Sequence, residues 1–367
     1  MKHRKIILLL LTVLLGVSSV YAQQFRAALP SPFSNESPGR FCEGKTCTVR
    51  SFTNPVNFSC YAHVIHTESG NIVIDPGYYD GDLKDYVNSI GGVDTILLTH
   101  CHVDHIIGLD ALKKDYPDAK VYIHALDHES LYSIYANYSF ERVISEPLVI
   151  ESDSLPLDAG DYEFSGQKVR VIHSPGHSPG SALYYFPDEG LLFLGDTIAF
   201  HKIPRYDLAN SNVPALMESL TKLKNLGLPE DTTVFFGHGE RVSYGEMLST
   251  FDCFTKTLTL SFKANEGETT DVEDVYFEGD TLMLPADLPA KILNTPYIPD
   301  KDSAVIYLPN MTRLKVRVGG KNPDAELDGF TVNMTSPAQL KDGKIYMPGK
   351  FLEQVFKGFI AWELSAK

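Results

Sequence analysis

The segment Thr99-His100-Cys101-His102-Val103-Asp104-His105 sets three imidazoles and a carboxylate within six consecutive positions. Buried without a cation, such a cluster leaves several polar groups desolvated, at roughly 2 kcal/mol or more each. Neutral imidazole and carboxylate are ligands of zinc and related divalent metals, so these residue types at this spacing point to metal binding. Three later positions extend the set. His177 sits in Ser174-Pro175-Gly176-His177-Ser178-Pro179-Gly180-Ser181, Asp196 in Gly195-Asp196-Thr197, and His238 in Gly237-His238-Gly239. Each alone reads as an ordinary turn. Together, after the first motif and each flanked by Gly or Pro, they read as ligands that the backbone can bring to one centre. A metal held there with an open position acidifies bound water and stabilises developing negative charge, which is hydrolytic chemistry without a protein nucleophile. A closed structural metal site is the competing reading.

The elements that must position these residues follow from the pattern of the chain. Ala62 to Thr67 and Asn71 to Asp75 read as a hairpin turning at Ser69-Gly70, and Gly81 to Ile90 has helical spacing. Thr95 to Thr99 is a buried strand, Ile106 to Tyr116 a helix, Val121 to Ile123 a strand and Asp127 to Tyr135 a helix. Two hairpins follow, Tyr162 to Phe164 with Val169 to His173, and Ala182 to Phe186 with Leu191 to Leu194. Val213 to Leu226 is an amphipathic helix, Val234 to Phe236 a strand, and Tyr244 to Lys256 the last helix of this region. Strand pairs interleaved with helices predict two sheets packed face to face with helices outside, an α+β architecture. The polar stretch 264–271 reads as a linker. Beyond it the chain is mostly short strands, with Lys350 to Phe356 the one clear helix.

On these motifs the chain resembles the metallo-β-lactamase superfamily, roughly from Asn57 to Phe262, with Ile74-Asp75-Pro76-Gly77 similar to that fold's first motif. The resemblance implies a four-layer αββα sandwich holding two divalent metal ions. One would sit on His100, His102 and His177, the other on Asp104, His105 and His238, with Asp196 bridging both and Asp75 orienting ligands without binding. Zinc is the expected metal, and iron and manganese suit the same ligands. His105 and Asp196 match the glyoxalase II-like branch. The implied chemistry is attack by a metal-bound hydroxide on an ester, thioester, lactone or β-lactam bond, with Asp104 or Asp196 shuttling a proton. Residues from Asp271 onward resemble the copper amine oxidase N-terminal-like domain, through Leu314 to Gly319, Ala325 to Gly329, Gly343 to Pro348 and Ile360-Ala361-Trp362. That resemblance implies contact with the cell envelope or a homodimer. Gly349-Lys350 departs from its pattern. No copper is expected, because no histidine follows His238 and no cysteine follows Cys253.

Length and charge bound the rest. At 367 residues, 43% hydrophobic and 22% charged, the chain predicts two folded domains. The net charge is -15, which disfavours nucleic acid as substrate or partner and leaves a small molecule. Lys2, Arg4 and Lys5, then the apolar run Ile6 to Val17 and Val20-Tyr21-Ala22, read as a cleaved secretory signal, so the protein is expected to be secreted or periplasmic. The predicted organisation is a signal at 1–22, an extended segment at 23–53, the catalytic domain at 54–263, a linker at 264–271 and a mainly-β domain at 272–367. Five cysteines are present, and Cys42 and Cys47 are spaced to close a small disulfide loop in an oxidising compartment. Cys101 lies between two ligands but reads as a packing residue.

The loop after Asp196 is polar and aromatic, so His201, Arg205 and Tyr206 are candidate substrate contacts, with a structural loop as the equal alternative. Tyr132, Tyr135, Tyr138 and Phe140 have the spacing of packing aromatics, with the lining of a groove as the alternative. His63, His66, His128 and His173 fall in strand or helix patterns, His124 merely follows a strand, and all five read as non-ligands. Two other function classes stay open: an iron-dependent oxidoreductase on the same fold, and a non-catalytic envelope protein stabilised by metal.

Overall fold

The computed structural model describes residues 40–53, 60–139, 147–198, 204–206, 208, 210–255, 258–264, 270–272, 274–319, 324–334, 336–357 and 359–366. The stretch predicted to be an export signal therefore lies outside the described residues. The first sheet has seven strands in chain order: β1 (Arg40–Glu43), β2 (Cys47–Phe52), β3 (Ala62–Thr67), β4 (Gly70–Ile74), β5 (Thr95–Leu98), β6 (Lys120–His124) and β7 (Leu155–Leu157). It is antiparallel up to β4 and parallel from β4 to β7. The second sheet runs β13 (Val242–Ser243), β12 (Thr233–Phe235), β11 (Leu191–Phe193), β10 (Ala182–Phe186), β9 (Gln167–His173), β8 (Gly160–Phe164).

Period-two alternation gives each sheet two apolar faces. The inner faces meet through Ile65, Ile72, Ile74 and Leu97 on one side and Val169, Val171, Tyr184, Phe186, Phe193 and Phe235 on the other. The outer face of the first sheet carries Val64, Val73, Ile96, Leu98, Val121 and Ile123. It is covered by α1 (Gly81–Ser89), α2 (Val103–Ile106), α3 (Leu109–Asp115) and α4 (Ala125–Leu131). The outer face of the second sheet carries Ile172, Leu183, Tyr185, Leu192 and Val234, covered by α5 (Val213–Lys224) and α6 (Tyr244–Thr255). The result is the expected αββα sandwich. α5 begins cleanly because the Asn212 side chain accepts from Ala215 N at 2.8 Å and Pro214 stands in the first turn.

Three predicted stretches differ in detail. The helix expected over Ile106 to Tyr116 is two helices broken at Gly108, whose backbone N–H donates to Gly77 O at 2.5 Å, an approach that a side chain would block. Residues 40–52, expected within an extended lead-in, form the edge hairpin of the first sheet. Cys42 and Cys47 are thiols: Cys42 faces Val49 across that hairpin, and Cys47 Sγ lies 3.5 Å from Glu189 Oε2.

Beyond the sandwich, the described residues form three antiparallel sheets and two helices, α7 (Leu288–Leu293) and α8 (Gly349–Phe356). The helix α7 was not legible as one, because six residues are too few for a helical repeat of apolar positions to show. Leu258–Ala264, which spans the predicted border between residues 263 and 264, pairs along its whole length with Ile360–Ala366. One apolar cluster joins α5 residues Val213, Leu216 and Leu220 to Leu282, Leu284, Met347, Phe351, Leu352 and Phe356, so the two regions share a core.

Candidate metal centre

Every candidate ligand, and Asp75 with them, follows the C-terminal end of a strand. Asp75 follows β4, the His100–His105 segment β5, His177 β9, Asp196 β11 and His238 β12. β4 and β5 are parallel, as are β11 and β12, and two antiparallel steps turn β9 the same way. All five ends therefore open on one edge of the sandwich. Backbone bonds fasten the loops there: Ala182 N to Thr99 O at 2.9 Å, Gly77 N to His105 O at 3.1 Å and Gly237 N to Gly195 O at 2.8 Å.

The structure brings all seven predicted ligands together. His100, His102 and His177 offer ligand atoms within 4.8 Å of one another, and so do His100, His105 and Asp196, and Asp104, His105 and His238. Asp196 joins the groups. Its Oδ1 lies 3.3 Å from His105 Nε2, and its Oδ2 lies 3.6 Å from His177 Nε2 and 3.4 Å from His238 Nε2. Asp104 Oδ2 lies 3.2 Å from His238 Nε2. A glycine is required at 237, where a Cβ would collide with Asp196 Oδ1 and crowd His105.

The surrounding hydrogen bonds decide which ring nitrogens face the centre. The Thr99 hydroxyl donates to Asp75 Oδ2 at 2.6 Å, so its oxygen must accept from His100 Nδ1 at 3.0 Å. His177 Nδ1 faces the Arg205 carbonyl at 2.8 Å, and a carbonyl only accepts. His105 Nδ1 donates to Asp75 Oδ2 at 2.8 Å. In their neutral forms, all three rings turn an unprotonated Nε2 inward. His100 Nε2 is buried with no hydrogen-bond partner, and His177 Nε2 faces His102 Nδ1 at 2.8 Å. An unpartnered Nε2 lone pair buried among further imidazoles and carboxylates is what a cation relieves, so the donor set fits a metal.

The electrostatics agree. Burial and the neighbouring imidazoles hold His100 and His102 well below the usual histidine range, and burial lowers His177. Around the carboxylates the sense reverses. Burial opposes it, but Cys60, Asp196 and Asp75 push His105 well up, while Asp196 and Asp104 raise His238 to about 10. Asp196 itself falls well below the carboxylate range, burial being outweighed by His238 and His105. The carboxylates thus demand positive charge, which a divalent ion supplies in place of protons.

Asp75 lies behind Thr99 and His105 and hydrogen-bonds both. Its φ of 51° is left-handed, which for a residue with a side chain is strained backbone at the site. That turn lets Oδ1 accept from Thr99 N at 2.7 Å while Oδ2 serves Thr99 and His105. Cys101 points into the helix-side core, with Sγ 3.7 Å from Ala136 O. Tyr138 is buried edge-on to His102, with ring centroids 4.9 Å apart, while Tyr135 is exposed and Phe140 lies outside the described residues. Of the substrate candidates, His201 is also outside them. Arg205 is exposed, and its carbonyl is what reaches His177. Tyr206 packs against the core beneath α5. His63 bonds Ser51, His66 bonds Asn71, and His124 stacks on His173 at 4.1 Å.

One functional carboxylate escaped the sequence reading. Asp127, fully buried at the start of α4, accepts from Cys101 N at 3.1 Å and from Ser178 Oγ and Gly180 N at 2.6 Å each. It ties the His100–His105 loop to the His177 loop. An acid in the first turn of a helix is too common to have signalled this.

A model of the metallo-β-lactamase superfamily matches residues 56–238. A probable metallo-hydrolase of Bacillus subtilis (strain 168), YqgX, is 32% identical over 179 residues, which is 48% of this chain and 84% of that protein. The chain belongs to the metallo-β-lactamase superfamily. As such it is a metallo-hydrolase with a His-rich metal site. A hydroxyacylglutathione hydrolase of Aeromonas hydrophila is 31% identical over 179 residues, 48% of this chain and 60% of that enzyme. The crystal structure of BLEG-1, a B3 metallo-β-lactamase, is 30% identical and covers 55% of this chain and 96% of its own, with a TM-score of 0.49. Residues 265–367 match the copper amine oxidase N-terminal domain.

Proposed function

We propose that this protein is an exported dinuclear hydrolase that opens an ester, thioester, lactone or β-lactam bond of a small molecule. The observation that carries the reading is Asp196, whose two carboxylate oxygens face His105 on one side and His177 and His238 on the other. One ion would be held by His100, His102 and His177, the second by Asp104, His105 and His238, with Asp196 shared. Zinc suits this nitrogen and oxygen set. When bound, the ions supply Lewis acidity, polarising the substrate and acidifying bound water toward a pKa of about 7.

The chain's own groups do the rest. Asp75 and the Arg205 carbonyl fix the His105 and His177 rings, so the ligands need little rearrangement on binding. Asp104 and Asp196 are placed to hold or pass a proton, each having an oxygen within reach of His238 Nε2. Arg205, exposed on the loop whose carbonyl touches His177, is the substrate contact this reading keeps. The basic, apolar and small-residue run at the N-terminus supports export.

A panel of nitrocefin, lactones, thioesters and phosphodiesters, with and without chelator, tests the proposal. Chelator-sensitive turnover of at least one carbonyl substrate, abolished in His102→Ala, is expected. Turnover indifferent to chelation, or metal analysis finding no stoichiometric ion, ends it.

A further inference from the structure

We infer that the C-terminal domain sets the position of the His177 loop in the metal centre, acting through helix α5. The helix is gripped on two sides. Toward the metal, Ser219 Oγ donates to Pro175 O at 2.6 Å, Asn212 N to Gly176 O at 2.8 Å and Ser211 Oγ to His177 O at 2.9 Å. Gly176, at a φ of 136°, lies so close that a Cβ there would collide with the backbone of Leu216. The loop that carries His177 therefore has its place dictated by residues 211–219.

Those same residues are held from behind by the C-terminal domain. Glu218 is 7% exposed, and its carboxylate is met by Lys350 Nζ at 2.6 Å and Leu282 N at 2.7 Å, both from beyond residue 265. Lys357 Nζ donates to Ser211 O at 2.9 Å, and Asn212 Nδ2 donates to Lys350 O at 3.3 Å. Gly349 stands close enough to Pro214 that a Cβ would lie 2.9 Å from the proline ring. Lys357, Ser211 and His177 thus form a chain of two hydrogen bonds from the second domain to a ligand's own backbone. Displacing helix α8 moves the start of α5, and α5 has no slack against the ligand loop, because packed elements shift as units. Lys350 and Lys357 are positioning residues for the centre.

The inference rests on the metallo-hydrolase reading only for the presence of metal. Zinc-loaded full-length protein is mixed with a chromogenic chelator, and the rate of zinc release is followed alongside the melting temperature. Lys350→Met is expected to release zinc ~10-fold faster, in line with the loss of an outer support to a ligand. Lys350→Arg should restore the rate to within about two-fold, since it keeps the charge on Glu218. Leu314→Val, which weakens the C-terminal domain away from α5, is the comparison at equal melting temperature, and Lys344→Ala, which breaks only an exposed pair with Asp274, should match wild type. Should Lys350→Met fail to fold, Lys357→Ala at an exposed position decides. Release no faster than in the Leu314→Val protein at matched stability overturns the inference alone. A wild-type protein that holds no zinc overturns both this and the functional reading.

Discussion

Glu353 on α8 is 6% exposed, one carboxylate oxygen has no partner, and the other accepts from Val213 N at the start of α5. Burial raises it from 4.5 to about 7, against the pull of Lys357 and the Val213 N–H. A carboxyl raised in the folded state contributes stability that is whole below its unfolded value and gone once pH climbs past its folded value. The relevant window is therefore from 4.5 to about 7. At about 1.4 kcal/mol per pH unit, the contribution that disappears between pH 5 and pH 8 is roughly 2.5 kcal/mol. Glu353→Gln removes the titration and keeps the shape. Urea unfolding of metal-loaded wild type and variant, at half-unit steps across that range, isolates the effect as a difference of differences. The variant should gain on wild type by roughly 2.5 kcal/mol as pH rises. Two stability curves that stay parallel within about 0.5 kcal/mol would mean that Glu353 is ionised in the folded protein throughout, and that burial of this interface has been misjudged.

Other perturbations probe the centre itself. Asp127→Asn replaces an acceptor of three hydrogen bonds with a group that must turn an NH2 toward at least one donor; a loss of ~1–3 kcal/mol in denaturant and a 10–100-fold weaker metal affinity by titration are expected. Gly176→Ala drives a Cβ into Leu216, so a drop of ~1–3 kcal/mol together with loss of metal stoichiometry is expected from unfolding and metal analysis. Cys101→Ser should keep its full metal complement while losing ~1–3 kcal/mol to a buried hydroxyl; loss of a whole equivalent of metal would make Cys101 a ligand.

The ligands were legible because their chemistry is local. His100 to His105 declare themselves by residue type alone, and His177, Asp196 and His238 by strand ends softened with Gly or Pro. The sandwich was legible for a similar reason, since β9 alternates and β4, β5 and β10 are short apolar runs of the kind buried on both faces. What could not be read depends on partners far along the chain. Asp127 differs from any first-turn acid only in what folds over it. The strand Leu258–Ala264 went unassigned, and nothing in it names its partner, Ile360–Ala366. The edge hairpin was hidden by the Pro- and Ser-rich composition before it, although Cys47, Val49 and Ser51 point to one face. The substrate loop offered Arg205 as a side chain, whereas the contact it makes with His177 is through a carbonyl, which every residue possesses.

The carboxylate of Glu218 carries a lesson for anyone cutting this protein at its family border. A chimera that keeps the sandwich and receives a foreign tail near residue 265 would strand that anion and bare the apolar stripe of Val213, Leu216 and Leu220. Leaving one member of a buried ion pair alone costs ~3–5 kcal/mol, a large share of what keeps a typical domain folded. The seam between the two sequence families is thus no seam in the solid, and domain grafts should carry α5 with the tail, or replace Glu218 with an apolar residue.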